Sequence, residues 1–225
     1  MECSCCGTCC QKGPPGLHLQ DVPLYRDGVL RRSSLLTLRK GEWVRDNVAG
    51  RIVTLSREMV RVRSASDSTA CLMLQQGNHC LIYTRRPAEC RALKCWDPRE
   101  LQELYQRDRA ERLDLIPSDS GLARIVREHE EAVSLPLVQE LVQAVRRHGE
   151  KDCLDRLGGL LEADRRFRDL LRDRAGAGEN ELEFILGRPL EEYLASLGLE
   201  VEVTSRGISL RERKPEKAAS LSSLG

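Results

Sequence analysis

The chain has 225 residues, of which 36 are Lys or Arg and 35 are Asp or Glu, so its formal net charge is +1. With 40% hydrophobic and 32% charged residues, it has the composition of a globular protein and not that of a low-complexity tail. No apolar run approaches the roughly 20 residues that a membrane-spanning helix needs, which argues against a membrane-embedded protein.

The N-terminal region is rich in cysteine and then in glycine and proline. Five of the ten cysteines lie within the first ten residues, and the second half of the chain holds one. A secreted disulfide scaffold spreads its cysteines through the fold, and no secretory signal is visible. We therefore expect a chain that is cytoplasmic, open to membrane association and not secreted. Because residues 11–23 contain helix- and strand-breaking residues, we expect a flexible leader over 1–23.

Three interpretations of the cysteine cluster stay open. S-acylation of several adjacent thiols would anchor the chain to a membrane, and the candidates are Cys3, Cys5, Cys6, Cys9 and Cys10. Cys6 and Cys9 form one Cys-x-x-Cys half-site for zinc, but no separate second knuckle completes it. The third interpretation is a tail whose thiols have no specific role. Glu2 follows the first Met, so N-myristoylation is not expected.

Residues 24–116 are predicted to form a basic β-rich module. Leu36 and Leu38, then Val60 and Val62, then residues 72–75 and 81–83 suggest short strands with close turns between them. Asp97-Pro98-Arg99-Glu100 has the features of a helix start, and that helix is expected to end before Pro117. A meander closed by one helix has the layout of pleckstrin-homology (PH) and phosphotyrosine-binding (PTB) domains, as a barrel or a sandwich.

Residues 117–121 are predicted to be a linker, and residues 122–210 an acidic bundle of short helices with a terminal hairpin. Apolar residues at helical spacing predict separate helices around 122–129, 136–148, 154–161 and 167–171. Gly158-Gly159 is expected to weaken the third of these, and Ala175–Gly178 to break the chain. Residues 211–225 are expected to be a disordered tail.

Part of this helical region resembles the harmonin-homology domain, a small helical interaction bundle. The residues that carry the resemblance are Arg127–Glu130, Val138–Arg147, Leu157–Leu161, Arg166–Leu171 and Leu190–Leu199. The order of the modules is similar to that of the cerebral cavernous malformation scaffold family, where a PTB-type domain precedes the helices. The resemblance implies an adaptor without catalysis. The Ala175–Gly178 stretch departs from the family's pattern.

The near-neutral total charge hides an asymmetry between the two halves. Residues 1–100 have a net charge of +6 and residues 101–225 one of −5. We expect a basic surface on the β module, formed by Arg31, Arg32, Arg39, Lys40, Arg61, Arg63, Arg85 and Arg86. Such a surface fits an acidic protein or an anionic membrane, nucleic acid, or a face that is merely solvated. Few aromatic residues are available for base stacking, so nucleic acid is disfavoured.

No complete catalytic motif is found. His129-Glu130-Glu131-Ala132-Val133 begins like a zinc-protease helix, but Val133 stands where the second histidine should be. His129 is therefore expected to be a half-buried bundle residue. Arg31-Arg32-Ser33-Ser34 suits a basophilic kinase, which makes Ser34 a phosphorylation candidate.

Together these patterns predict an α+β fold and a non-enzymatic adaptor or scaffold subunit without a cofactor, bound to protein partners within a complex. The bundle would bind a partner helix in a groove, formed by Leu141, Val145, Leu157, Leu161, Phe167, Leu171 and Tyr193. The basic module would bind a second protein or an anionic membrane. Two alternatives are a nucleic-acid-associated factor and a zinc-stabilised interaction module.

Overall fold

The computed structural model describes residues 5–46, 50–66, 68–148, 151–204 and 207–212. The α-helices in these segments are α1 Thr8–Lys12, α2 Val22–Arg26, α3 Ala88–Ala92, α4 Arg99–Leu104, α5 Arg112–Leu115, α6 Gly121–Ala132, α7 Leu135–His148, α8 Lys151–Ala175, α9 Glu179–Leu186 and α10 Leu190–Ser196. The strands are β1 Leu35–Leu38, β2 Trp43–Asp46, β3 Arg51–Thr54, β4 Met59–Val62, β5 Leu199–Thr204 and β6 Gly207–Glu212.

The strands pair two by two into antiparallel ribbons, β1 with β4, β2 with β3 and β5 with β6. The strands predicted around Leu36 and Val60 are confirmed, with Leu35 opposite Val62 and Leu38 opposite Met59. The predicted terminal hairpin is confirmed as β5 and β6. The ribbons of the described segments do not join into a closed barrel, so the architecture is a mixture of helices and short antiparallel strands.

The strands predicted at residues 72–75 and 81–83 are wrong. This stretch holds 3-10 turns and an isolated antiparallel bridge between Leu74 and Cys80. Gly77 and Asn78 both have positive φ angles, 77° and 63°. Two left-handed residues in succession turn the chain back before a ladder can form.

The flexible leader expected over residues 1–23 is wrong for its described part, residues 5–23, which contains α1 and the carbonyl of Cys10 hydrogen-bonded to the amide of Cys71. Leu17, His18 and Asp21 are almost completely buried. The amide of Val62 donates a hydrogen bond to the carbonyl oxygen of Pro15, and the amide of Leu17 donates one to Val60. Proline lacks an amide donor but keeps its acceptor, so an extended Pro-Gly segment can still lie along a strand. Residues 1–4, which include Cys3, lie outside the described segments.

The helix predicted from Asp97 toward Pro117 is two short helices, α4 and α5, with an extended segment between them. Asp97 accepts a hydrogen bond from the amide of Arg99, as a residue at a helix start should. Asp108, four residues after the end of α4, has a φ angle of 46°, which lies outside the right-handed helical region. The carbonyl oxygen of Ala110 then accepts a hydrogen bond from Val60, so tertiary pairing overrides the helical pattern here.

The third and fourth helices predicted in the bundle are one helix, α8, which runs through Gly158-Gly159. Leu157 and Leu161 are fully buried on either side of the glycines. Packing on both sides outweighs the cost of glycine in a helix, which is about 1 kcal/mol per residue relative to alanine. The predicted break at Ala175–Gly178 is confirmed and contains Gly176 with a φ angle of 61°.

Two hydrophobic cores hold the chain together. The first joins the β1–β4 ribbon to α5, α6, α9 and the end of α8. The second is formed by α7, α8, α10 and β5. Because the first core takes residues from both sides of 117–121, that segment does not separate two independently packed modules. Of the tail predicted over 211–225, Arg211 and Glu212 belong to β6, and residues 213–225 lie outside the described segments.

Candidate functional site: a cationic cleft ringed by thiols

The groove predicted on the helical bundle is occupied by the protein itself. Six of its seven residues are no more than 6% exposed, and Phe167 is half-buried. Leu171 and Phe167 pack in or against the first core, whereas the other five belong to the second. Apolar residues at helical spacing mark a buried face, and here other parts of the same chain cover that face. The prediction of a free groove at these residues is therefore wrong.

The predicted basic surface is also divided. Arg31, Arg32 and Lys40 are exposed, but Arg39 is only 1% exposed. Three other members of the set have local partners or contacts: Arg63 pairs with Glu183, Arg85 pairs with Asp27, and Arg86 lies 3.9 Å over the ring of Tyr83. Arg61 is half-buried inside a cleft. The eight residues do not form one continuous cationic face.

Arg39 belongs to a buried ion network that joins β1 to the helices. It donates to both carboxylate oxygens of Glu130, at 2.6 and 2.9 Å. Arg112, fully buried, donates to Glu130, to Glu58 and to the carbonyl oxygen of Ile185. Burial alone would raise the pKa of Glu130, but the two guanidinium groups outweigh it and lower that pKa to about 2. The carboxylates raise the pKa of Arg112 against the effect of its burial.

His129 is completely buried, deeper than the half-buried position predicted for it. Its Nε2 lies 2.8 Å from Asp164, and its ring meets that of Phe167 edge-on. Asp164 also accepts from Arg168 and from the amide of Leu190, which fixes α10 against α8. Burial and the charge of Arg39 lower the pKa of His129 more than Asp164 raises it, so the imidazole is neutral near pH 7. These contacts give His129 a structural role.

Ser34 is 8% exposed, and its hydroxyl donates to the carbonyl oxygen of Arg31. A kinase would have to open this turn before it could reach the hydroxyl. The structure therefore contradicts Ser34 as a freely accessible phosphorylation site.

A cleft of about 1180 Å³ opens on the described surface. It lies between the β2–β3 ribbon on one side and the Gly13–Gly16 segment and the loops that follow β4 on the other. Apolar side chains supply much of its lining, namely Leu36, Leu38, Val44, Val53, Leu55, Met59, Met73, Ile82, Leu93 and Leu101. Trp43 lies at this wall with 41% of its surface exposed.

The charges that line the cleft are strongly unbalanced. Glu89 is the one acidic residue among the described lining residues, and it already accepts a hydrogen bond from the amide of Gly16. Seven basic residues share the lining, namely Lys12, Arg45, Arg51, Arg61, Lys94, Arg109 and Arg188. Two of them are paired outside the cleft, Lys94 with Glu100 and Arg188 with Glu42, which leaves five against Glu89. The cleft is therefore a cationic environment with an apolar component.

Arg61 and Arg109 have no carboxylate within ion-pair distance in the described part of the chain. Arg61 donates to the hydroxyl of Ser64 at 3.1 Å and more weakly to a backbone carbonyl. Arg109 donates to the carbonyl oxygen of Tyr105, and its guanidinium lies 4.3 Å from the centre of that ring. Burial, followed by the charge of Arg188, lowers the pKa of Arg61. A buried guanidinium that is not neutralised favours an anion in the space it faces.

Cysteines from three distant parts of the chain line the same cleft. They are Cys9, Cys10, Cys71, Cys80, Cys90 and Cys95. Burial first, and then the neighbouring thiols, raise the pKa of Cys10 to about 12 and also raise that of Cys90. Thiols from these three segments thus share one partly buried region of the fold.

The cysteine candidates from the sequence have different positions. Cys5 and Cys6 are exposed, whereas Cys9 and Cys10 are half-buried. The thiol of Cys6 lies 3.3 Å from the hydroxyl of Thr8. As their side chains stand, the described His, Cys, Asp and Glu residues form no group of three with the arrangement of a metal site, and this includes the proposed half-site of Cys6 and Cys9.

Sequence reasoning missed Arg109, Arg188 and Glu89 as members of a site. They are far apart in the chain, and no motif surrounds them, so no local signal was available. Arg61 was identified, but as part of an outer surface, because the strand alternation did not show that residues 13–16 and the β2–β3 ribbon flank it. A cleft between non-consecutive segments is visible only after folding.

Among the helices of the described segments, none combines the length and the apolar composition that crossing a bilayer requires. The comparisons with known proteins add no relative: no protein-family model, curated protein or solved structure matches this chain. The resemblance of residues 122–199 to the harmonin-homology domain therefore stays a prediction.

Proposed function

We propose that this chain is a non-enzymatic adaptor whose cleft binds an acidic, partly apolar segment of a partner protein. The observation that carries the proposal is the charge imbalance of the cleft: seven basic residues, of which Lys94 and Arg188 are paired with carboxylates outside it, share the lining with Glu89 alone. Electrostatic complementarity of this kind steers association and selects acidic partners.

The size and lining of the cleft favour a peptide over a small ligand. Its volume of about 1180 Å³ exceeds the roughly 300–1,000 Å³ of most small-molecule pockets. Apolar side chains beside the arginines suit a segment in which Asp or Glu alternates with larger apolar residues. Trp43 offers an amphipathic ring of the kind that is enriched at protein interfaces.

The same features weigh against nucleic acid as the ligand. Single-stranded nucleic acid binds where successive bases find aromatic platforms. Trp43 is exposed at the cleft, but the ring of Tyr105 is already covered by Arg109. The apolar side chains of the lining also offer phosphate groups neither hydrogen-bond donors nor positive charge. A protein segment uses both components of the cleft.

Several other predictions accompany this proposal. The exposure of Cys5 and Cys6 leaves these thiols accessible to S-acylation, which would bring the adaptor to a membrane. A cytoplasmic location, membership of a complex and a PH- or PTB-like character for the β-rich part belong to the proposal as well. We therefore place the partner-binding site in the cleft and no longer on the helical bundle.

The proposal is tested by selecting binders from a random peptide library displayed on phage, with the purified full-length protein as bait. We expect the enriched peptides to combine Asp or Glu with large apolar residues and to lose affinity steeply as salt is added. A labelled selected peptide is then compared with a single-stranded RNA of equal charge and with vesicles containing phosphatidylserine. Enrichment of peptides without acidic residues, or tighter binding of the RNA or the vesicles, would overturn the proposal.

A further inference from the structure

The β1–β4 ribbon is enclosed by other parts of the chain. Along β4, the amide of Leu17 donates to the carbonyl oxygen of Val60 at 2.8 Å. On the side of β1, the hydroxyl of Thr37 donates to the carbonyl oxygen of Phe184, and α9 packs along the strand. Such cover keeps the backbone groups at the edge of a sheet away from other chains.

The β2–β3 ribbon has no comparable cover within the described segments. Its two strands contact each other, and no other described helix or strand packs extensively against them. Both strands also place apolar side chains in solvent, since Trp43 is 41% exposed and Ile52 is 72% exposed. An uncovered strand of this kind is a template for pairing with another chain.

The register of the ribbon determines which backbone groups point away from it. The amide of Leu55 donates to the carbonyl oxygen of Glu42 at 2.9 Å, which makes these two residues a hydrogen-bonded pair. Because such pairs alternate with non-bonded pairs along an antiparallel ladder, Val44 and Val53 form the next one. The intervening residues of each strand therefore direct their amides and carbonyls away from the ribbon.

The outer edge of β2 borders the cleft. The intervening residues of this strand are Trp43 and Arg45, and both line the cleft. No described residue pairs with their outward amides and carbonyls. On β3 the corresponding residues are Ile52 and Thr54, and Ile52 lies outside the cleft. Of the two edges, the edge of β2 is therefore the one that presents unpaired donors and acceptors to the cleft.

We propose that the partner segment binds in the cleft as an extended strand, which pairs with Trp43 and Arg45 of β2 and adds a third strand to the ribbon. The inference rests on the proposed function and gives its acidic, partly apolar partner a conformation. In strand addition, main-chain hydrogen bonds supply affinity, and the side chains at alternate positions supply specificity.

The side chains of β2 specify which residues the added strand should carry. Successive positions of that strand would lie beside Trp43, Val44 and Arg45, on alternate faces. Arg45 is exposed and has no carboxylate partner among the described residues, so an acidic residue fits beside it. Apolar residues fit beside Trp43 and Val44. A second copy of this chain fits less well, because it would bring the arginines of two ribbons together.

The inference is tested with an acidic peptide from the phage selection and a series of its variants, each N-methylated at one amide. N-methylation removes a donor from the strand contact. We therefore expect alternate positions to lose more than about tenfold in affinity, while the positions between them lose little. Fluorescence anisotropy at fixed ionic strength gives the dissociation constants.

The possible failures of this test are distinguishable. Uniform losses along the peptide, or no loss at all, would overturn strand addition while the unmodified peptide still bound as the proposed function requires. Failure to select any acidic peptide would overturn the proposed function and, with it, the inference that rests on it.

Proline substitutions on the two strands locate the edge. Arg45→Pro removes an outward amide that the ribbon itself does not use. It should weaken peptide binding at least about tenfold more than Arg45→Thr, which removes the same charge but keeps the amide. Ile52→Pro, opposite Arg45 on β3, removes an outward amide of the other edge and should leave the affinity unchanged. Equal affinities of Arg45→Pro and Arg45→Thr, or a loss in Ile52→Pro alone, would contradict pairing at β2.

Amide exchange followed by NMR tests the wild-type chain directly, so the result does not depend on a proline variant that fails to fold. The amides of Trp43 and Arg45 should exchange more slowly when the peptide is bound. Protection of Ile52 and Thr54 without protection of Trp43 and Arg45 would overturn the assignment to β2. Protection that grows with protein concentration in the absence of peptide would overturn it in favour of a second copy of the chain.

Discussion

The hydroxyl of Thr37, in the middle of β1, donates a hydrogen bond of 2.6 Å to the carbonyl oxygen of Phe184, which lies 147 positions later in α9. Both residues are fully buried. This contact joins the predicted β module to the predicted helical bundle within the first core. The two regions, whose net charges differ in sign, are therefore packed against each other and not held apart by a linker.

Thr37→Val is expected to lower the free energy of unfolding by about 1–3 kcal/mol, because it leaves the Phe184 carbonyl buried without its donor. The measurement is urea denaturation followed both by Trp43 and Trp96 fluorescence and by circular dichroism. Thr54→Val, at an exposed position of β3, is the matched control and should change the free energy by less than about 0.5 kcal/mol. Separate transitions for the two probes in the wild-type chain would contradict a shared core.

Leu17→Ala is expected to cost about 2–5 kcal/mol of unfolding free energy, because Leu17 is 1% exposed in the first core. Leu19→Ala, two residues later and 47% exposed, should cost no more than about 0.5 kcal/mol. Thermal and urea unfolding of the two variants measure the difference. If both variants were as stable as the wild type, residues 14–22 would be a flexible leader after all.

Glu130→Gln is expected to cost about 3 kcal/mol, because it leaves Arg39 and the fully buried Arg112 without one of their carboxylates. Glu128→Gln, in the same helix, breaks only an exposed pair with Arg124 and should cost less than about 0.5 kcal/mol. Because the pKa of Glu130 is lowered from 4.5 to about 2, its contribution is present above pH 4.5 and is lost as the pH falls toward 2. Equal stabilities of the two variants at pH 7 would show that the network is not stabilising.

His129 is expected to make stability fall as the pH drops below 6.5. Burial lowers the pKa of His129 in the folded state, so below pH 6.5 the unfolded chain binds more protons than the folded chain does. The relevant measurement is the slope of unfolding free energy against pH between 7.5 and 5. In His129→Gln this slope should become shallower, while His79→Gln, at an exposed position, serves as the control. An unchanged slope in His129→Gln would assign the pH dependence to other groups.

The local patterns in the sequence were informative where one element buries one face. The alternation at Leu36 and Val60 predicted β1 and β4, and the predicted break at Ala175–Gly178 was found. Predictions failed where long-range pairing decides the structure. Pro15 and Leu17 were taken for a leader because their composition disfavours regular structure, yet β4 supplies them with hydrogen-bond partners. Likewise, the spacing of the residues in the predicted groove indicated an apolar helix face, but spacing alone does not show whether a partner or another part of the same chain covers that face.

The affinity of a selected acidic peptide for Arg61→Gln tests the central claim most directly. Arg61 lines the cleft and has no carboxylate partner in the described residues, so removal of its charge should weaken peptide binding by about 10- to 100-fold. Arg124→Gln removes an exposed charge on α6, outside the cleft, and should leave the affinity unchanged. Fluorescence anisotropy at fixed ionic strength gives all three dissociation constants. Equal affinities for the wild type and Arg61→Gln, with the folded state of both verified by circular dichroism, would contradict the cleft as the binding site.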